Sequence, residues 1–486
     1  MLPGRRYIDF QEDRIGLSCN RQLPGEKMKT KILFVDAHDA KKRVESVYPP
    51  LNLAYLASYL KKNLGCKDLS LKIITERYEK EILSFSPDMI GVSCVTQNYG
   101  LAIEIASFAK KRGIPVIIGG VHISNLPESL NRNFDVGVIG EGERTLSDLV
   151  RLFEKKRSFP ENELSKIKGL VFFNKKGKII FTGEQELMKD VDAIPFPCRS
   201  LLDIDKETIF MMSSRGCPYK CYFCSSSSFW GKARFHSADY VVDEIRQVMN
   251  DYSPKKIIFF DDLFIADLGR LRKIVSKIEK SGINNKVTFH VSARANLVND
   301  EVISLLKRMN VSAVNIGFES GSDETLRYLK GSAISVKDNI NAISLLKKSG
   351  IFIAGSFVMG CPIDSKKTIM DTYRFIKKHK INDFAVYVLT PFPKTKAWDY
   401  ALSKGLVSND MDFSRLSIDY EGDYRDKITI CPNMSKNEIY SVYRKFLRLH
   451  TFRRVMSAVD MAFKRPKDLM KAVNRRLRFR DIGGYN

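Results

Sequence analysis

Three cysteines fall within the run RGCPYKCYFC at 215–224, where Cys217, Cys221 and Cys224 stand in a C-x3-C-x2-C spacing. Thiolates are the protein ligands of iron–sulfur clusters, and four irons held by three cysteines leave one iron without a protein ligand. That iron is a reaction site. A small molecule with an amine and a carboxylate can chelate it, which sets a sulfonium beside an electron source, where one electron breaks a carbon–sulfur bond. Structural zinc is the competing reading, but it wants four ligands. The nearest further candidate, His236, is twelve residues beyond Cys224. The other cysteines are scattered and form no disulfide framework, so the triplet reads as metal ligands in a reducing compartment.

The elements that must position these residues come from a repeating alternation. ILFVD at 32–36, LKIIT at 71–75, MIGVSCV at 89–95, PVIIGG at 115–120 and DVGVIGEGE at 135–143 read as strands. Helical periodicity through Leu53, Leu56, Ala57 and Leu60, and later through AIEIASFAKKRG and TLSDLVRLFE, separates them. An α/β, doubly wound, Rossmann-like parallel sheet is expected over 30–155, with its ligand site at the strand carboxyl ends. Residues 156–205 break the rhythm with LVFFN and KIIFTGE around a Lys-Gly turn, then Pro195 and Pro197, and read as a hairpin and linker. Over 206–400, IFMMSS, KKIIFFDD, VTFHVSAR, AVNIGFES, IFIAGSFVMG and DFAVYVLTPF alternate with helices. Six parallel strands suit a partial (β/α)6 TIM-like barrel, again with its chemistry at the strand carboxyl ends.

A polar leader, 1–29, and a helical basic C-terminal region, 401–486, flank these domains. The net charge of +24 concentrates in the tail, where 444–486 holds thirteen Lys or Arg against three Asp. With Phe446, Leu447, Phe452, Val455, Met456, Val459 and Phe463 at roughly helical spacing, the tail suits peripheral contact with an anionic membrane or a solvated extension packed on the barrel. Nucleic-acid binding is disfavoured because it would leave the cysteines idle. No apolar run approaches the roughly 20 residues that cross a bilayer. The charged N-terminus lacks a secretory pattern, so the cytoplasm is expected, in part at the inner membrane face.

The triplet and its setting after the first barrel strand resemble the radical S-adenosylmethionine superfamily. The resemblance implies a [4Fe-4S] cluster on Cys217, Cys221 and Cys224, with S-adenosylmethionine bound to it and its adenine against Phe223. It further implies that Asp261, Asp262, Arg294, Glu319 and Ser320 line the amino, carboxylate and ribose groups of S-adenosylmethionine. Without the resemblance, each reads as an ion pair or helix cap at the barrel rim. SFVMGCPIDS is similar to the family's Gly-x-Pro turn, retaining Gly360 and Pro362, while Ile363 and Asp364 depart from its usual Gly-Glu or Gly-Asp pair.

YPPLNLAYLASYLK, MIGVSCVTQN and PVIIGGVHIS are similar to the first helix and strand ends of the cobalamin-binding, class B branch of that family. On that resemblance Ser93, Thr96, Gly119 and Gly120 contact the corrin and its nucleotide tail. Asp36-Ala-His38 resembles the start of the Asp-x-His-x-x-Gly cobalt-ligand motif, but Lys41 replaces the glycine and a loop histidine is the simpler reading. His122 is expected at the corrin rim. Methylthiolating enzymes carry three more cluster cysteines in this domain; Cys19, Cys66 and Cys94 are poorly placed to converge. The implied activity is methyl transfer to an unactivated carbon, with radical cyclisation, oxidation or carbon–carbon joining on a lipid or tetrapyrrole as the alternative. An external electron donor of flavodoxin or ferredoxin type is implied; the substrate is not.

Overall fold

The computed structural model describes residues 30–38, 48–64, 69–418 and 424–464. The leader, Cys19, Lys41, Cys66 and the tail from 465 onward lie outside the described residues. The first sheet comprises β1 (Thr30–Ala37), β2 (Leu69–Ile74), β3 (Met89–Cys94), β4 (Val116–Gly119) and β5 (Val136–Val138), then β6 (Leu170–Phe173) and β7 (Ile179–Phe181). Its order is β2-β1-β3-β4-β5-β6-β7. The first five strands are parallel. Alternate residues of β1 enter opposite cores, Leu33 and Val35 on one face and Ile32 and Phe34 on the other. Two buried faces explain why the strand reads as one apolar run rather than an alternation. Helix Tyr99–Lys110 covers the first face, and Leu51–Leu64 with Gly142–Lys156 covers the second. The order reverses between β1 and β3, which places a ligand crevice at their carboxyl ends.

The hairpin differs from expectation in its attachment. β6 pairs antiparallel with β7 as the expected hairpin, and β6 also pairs antiparallel with β5, so the hairpin extends the first sheet.

The second sheet runs β8 (Thr208–Met211), β11 (Lys256–Phe259), β12 (Thr288–Ala293), β13 (Val311–Glu319), β14 (Phe352–Met359) and β15 (Asp383–Val388), all parallel in that spatial order. Between β8 and β11, a separate two-stranded ribbon joins β9 (Ser214–Arg215) to β10 (Arg234–Phe235). The six-stranded sheet is the partial barrel foreseen from the alternation. Outward residues such as Ile257, Phe289 and Ile353 are buried under helices, whereas inward Phe210, Ile258, His290 and Ser292 are only half-buried and Asn315 is exposed. A closed eight-stranded barrel fills its interior with side chains. Six strands leave this one open.

After β14 the chain turns through Gly360 and Cys361, whose amides donate to Asp364 Oδ2 at 2.9 and 3.0 Å. Oδ1 accepts from Thr325 and Thr368 hydroxyls at 3.0 and 2.8 Å. Asp364 therefore closes this turn by itself, which gives the departure from the family pattern a structural role.

Helix Lys436–Lys464 divides the tail's two readings between its halves. Ile439, Val442, Tyr443 and Phe446 join the barrel core, and Arg453 donates to the carbonyls of Ile376 and Ile381. Phe452, Val455, Met456 and Val459 are exposed. No helix among the described residues is long and apolar enough to cross a membrane.

Candidate functional site

The three cysteines lie on the excursion between β9 and β10, and all three thiols are free. Cys217 and Cys224 each stand within electrostatic range of Cys221 and of Asp262. Burial pushes the Cys217 thiol up and the Cys224 thiol to about 12, so iron must displace protons to bind. Arg294 Nη1 lies 3.6 Å from Cys221 Sγ, while its Nη2 donates to the Lys330 carbonyl at 3.1 Å and its guanidinium covers the Tyr219 ring at 4.0 Å. A cation held there offsets the negative charge of a thiolate-bound cluster.

Three cysteines with no fourth protein ligand match a cluster that keeps one open iron better than a four-coordinate zinc ion. Among the described residues, no three His, Cys, Asp or Glu side chains gather as ligands of a single metal ion. A four-iron cluster spreads its thiolates around a larger body. His236, the candidate fourth zinc ligand, is engaged elsewhere, with Nδ1 3.1 Å from Asp192 and its ring stacked on Tyr240 at 4.0 Å.

The other expected residues separate into those open to ligand and those bound within the protein. Asp262 accepts from Ser226 on the cysteine loop, and burial raises its carboxyl. Asp261 is occupied by the chain itself, with its oxygens accepting from the Ser213 amide, the Ser213 hydroxyl and the Ser214 hydroxyl, which anchors the strand leading to the cysteines. Ser320 is buried against Thr372 and accepts from the Ser322 amide. Glu319 adopts φ +59°, folding its carboxylate back over Gly317 to meet Lys330 Nζ at 3.2 Å; a side chain at Gly317 would collide with it. Phe223 is half-buried, packed against the cluster of apolar residues that includes Trp398 and Leu389.

In the first domain the strand ends enclose a cavity of about 880 Å3, within the roughly 300–1,000 Å3 range of cofactor sites. Its walls are His38 after β1, Ser93 and Val95 around the end of β3, Gly119 and Gly120 around the end of β4, and Gly140 to Glu143 after β5. The barrel supplies the opposite wall with Phe210, Trp230, Phe260, Asp261 and Asp262. Tyr48 stacks on Phe260 at 4.4 Å across the two domains.

Two buried polar atoms on cavity-lining residues, His38 Nδ1 and Tyr55 Oη, have no hydrogen-bond partner among the described residues. A Cβ placed on Gly119 meets nothing within 4 Å. Orphaned polar groups around an open glycine edge fit a large ligand with polar substituents, as a corrin is. Ser93 accepts from Asn52 at 2.9 Å on this wall. Thr96 turns inward and is buried, leaving Val95 and Asn98 to face the cavity.

His122 corrects its expected place. It is fully buried, with Nε2 3.0 Å from Ser129 Oγ and its ring 4.0 Å from Tyr99 and 4.7 Å from Phe413. Burial lowers its pKa to about 3. Between pH 6.5 and 3 the unfolded chain binds this proton and the folded chain does not, so acid favours unfolding. Below pH 6.5 His122 is expected to remove up to about 1.4 kcal/mol of stability per pH unit. Urea unfolding of wild type and His122→Asn at pH 7 and 5 measures it; an equal loss on acidification in both proteins contradicts the assignment.

Comparison with known proteins agrees with this division of labour. Residues 38–150 match the B12 binding domain family and residues 211–376 the radical SAM superfamily. An uncharacterized methyltransferase of Pyrococcus horikoshii is 33% identical over 396 residues, covering 78% of this chain and 84% of the relative. The chain belongs to the cobalamin-binding radical S-adenosylmethionine enzymes. Its cofactor set is the family's: a [4Fe-4S] cluster, S-adenosylmethionine and cobalamin. Another relative, the anaerobic magnesium-protoporphyrin IX monomethyl ester cyclase of Rubrivivax gelatinosus, is 26% identical, covering 74% of this chain and 68% of that protein. The solved structure of the radical S-adenosylmethionine methyltransferase TsrM from Kitasatospora setae, with cobalamin and a [4Fe-4S] cluster, shares the fold at a TM-score of 0.63 and 17% identity, covering 78% and 79% of the two chains.

Sequence reasoning about this radical enzyme missed three features of the site. Arg215 and Arg234 form buried ion pairs with Glu141 and Glu143. Asp364 closes the turn after β14, and Tyr48 bridges the domains. The repeated acid in GEGE at 140–143, each glutamate directly following a glycine just beyond a strand end, was the visible signal for the first.

Proposed function

We propose that this enzyme transfers a methyl group to an unactivated carbon of its substrate. When bound, the cluster would supply the electron that cleaves one S-adenosylmethionine to methionine and a radical, and the corrin would supply a methyl group drawn from a second S-adenosylmethionine. One observation carries the reading: a single cavity runs from the glycine edge at Gly119 and Gly120 to Asp262 beside the cysteines. A radical source and a methyl donor therefore open onto the same space, and proximity of this kind is what a two-cofactor transfer requires.

The chain's own residues set the conditions. Cys217, Cys221 and Cys224 would hold the cluster, Arg294 would offset its charge, and Asp262, which also accepts from Ser226, would receive the amine of S-adenosylmethionine. Phe210, Phe260, Tyr48 and Trp230 give the cavity an apolar wall that would limit water around a radical formed there. His38, which lines the cavity with its Nδ1 unpartnered among the described residues, would contact the corrin. The reaction consumes an electron, so a flavodoxin- or ferredoxin-type protein is the proposed donor. The exposed row on Lys436–Lys464, beside Arg444, Arg448 and Arg454, favours work at an anionic lipid surface.

The cyclase relative supports a second reading, radical ring closure by the same residues. Reaction with S-adenosylmethionine deuterated at its methyl group separates the two. Products heavier by a labelled methyl are expected; products that gain no labelled carbon while 5′-deoxyadenosine accumulates overturn methyl transfer in favour of cyclisation.

A further inference from the structure

The excursion that carries the cysteines leaves and re-enters the fold through one narrow neck. β9 and β10 pair Arg215 with Arg234 and Ser214 with Phe235, closing residues 216–233 at their base. Both neck arginines reach the same loop of the corrin domain. Arg215 Nη1 donates to Glu141 Oε1 at 2.7 Å and its Nη2 to Glu143 Oε1 at 2.5 Å. Arg234 Nη1 donates to Glu141 Oε2 at 2.7 Å and to the Met188 carbonyl at 3.0 Å.

This is a charge-balanced quartet, and water hardly reaches it: the four side chains are between 5% and 12% exposed. Burial pushes the Glu141 carboxyl up, and the two guanidiniums more than offset that push, holding it below the usual range. Immediately after Arg215, Gly216 adopts φ +84°, where a Cβ would sit 2.8 Å from Trp230 Cβ. The neck is therefore fixed in direction as well as in charge.

Buried ion pairs are weak sources of net stability, since an apolar contact of equal volume does as well or better. What forked guanidinium–carboxylate bonds add is geometric register. Here they lock the base of the cysteine loop to the loop after β5, which also walls the corrin cavity. No other function described for the chain accounts for four charges in this place.

We propose that Arg215, Arg234, Glu141 and Glu143 form an interdomain clamp that sets the position of the cysteine loop relative to the corrin. They are positioning residues, and the corrin half of the proposal rests on the family's cofactor assignment. The clamp itself makes a claim that holds without corrin: the neck is pinned to the first domain.

The test pairs Arg215→Met with Glu143→Leu, so that no lone charge is left buried, and uses the full chain reconstituted anaerobically with iron and sulfide. Iron content is expected to match wild type, while amide hydrogen exchange over 216–233 accelerates about tenfold. With cobalamin bound and dithionite as reductant, the spin–spin splitting between the cobalt(II) corrin and the reduced cluster is expected to broaden as the separation becomes heterogeneous. Arg215→Lys, which reaches only one carboxylate at a time, should fall between the two proteins.

Unchanged exchange over 216–233 overturns the clamp whether or not corrin is present. Loss of iron from the double variant also overturns it, because the residues would then serve cluster assembly rather than position. Accelerated exchange with an unaltered splitting removes the corrin half alone. Accelerated exchange in a protein whose wild type shows no splitting upholds the pinned neck and rejects the corrin assignment.

Discussion

Cys221→Ala is expected to bring 5′-deoxyadenosine formation to the level of enzyme-free controls. Cys221 is the middle cysteine of the triplet, with Arg294 Nη1 3.6 Å from its sulfur. Removing it leaves two thiols, Cys217 and Cys224, with Asp262 in their electrostatic range but already accepting from Ser226. Even partners that only support a metal ligand are worth about 10–100-fold, so losing a ligand should exceed about a hundredfold in both iron content and turnover. Cys198→Ala is the matched control, a half-buried free thiol between the domains and outside the triplet. Iron analysis and chromatography of reduced, anaerobic reactions check both variants. A Cys221→Ala protein that still forms 5′-deoxyadenosine at the wild-type rate contradicts the cluster assignment.

Gly119→Phe should abolish corrin retention while leaving the fold intact. Gly119 ends β4, and a Cβ added there meets nothing within 4 Å, so a large ring projects into the cavity and occupies the corrin's place. A loss of at least about a hundredfold in cobalamin affinity is expected, the equivalent of roughly 2.7 kcal/mol. Stability should change by no more than the roughly 0.5 kcal/mol typical of substitutions that displace no packed atom.

Its neighbour behaves in the opposite way. Gly120 sits at φ +97°, and a Cβ there would lie 2.7 Å from the Cys94 carbonyl oxygen. Gly120→Ala is therefore expected to destabilise the first domain by about 1–3 kcal/mol through backbone strain and collision. Cobalamin titration and urea unfolding of the two variants separate ligand displacement from misfolding. Normal cobalamin binding by Gly119→Phe would place the corrin elsewhere.

The parts of this arrangement visible in the sequence are local ones. The triplet is visible in the sequence because Cys217, Cys221 and Cys224 lie within one loop, and its reading as cluster ligands rests on that spacing. The barrel strands are legible because each is a short β-branched or aromatic run between helices. VTFHVSAR shows both faces at once, with Phe289 and Val291 buried outward and His290 and Ser292 turned to the open interior.

What stayed hidden depends on pairings between distant segments or on side-chain direction. Arg215 meets Glu141 and Glu143 across more than seventy positions. No periodicity encodes that contact. The hairpin at 170–181 reads the same whether it stands alone or joins a sheet; the choice is made by β5, whose far edge would otherwise present unpaired amides. Thr96 and Val95 exchange roles because a 3-10 turn, Thr96–Asn98, begins directly after β3 and rotates the threonine into the core. Asp261 and Asp262 are adjacent carboxylates after one strand, yet one is claimed by two serines and the other faces the cysteines. Both follow the end of β11, so no strand alternation in the sequence separates their roles.

The most direct measurement starts from full-length protein handled without oxygen, supplied with iron, sulfide and cobalamin, and passed through a desalting column. After dithionite and S-adenosylmethionine are added, the eluted protein should carry four irons per chain, retain a corrin spectrum and release 5′-deoxyadenosine. Iron-replete protein that releases none, or zinc as the sole metal bound by the three cysteines, would be incompatible with the site described.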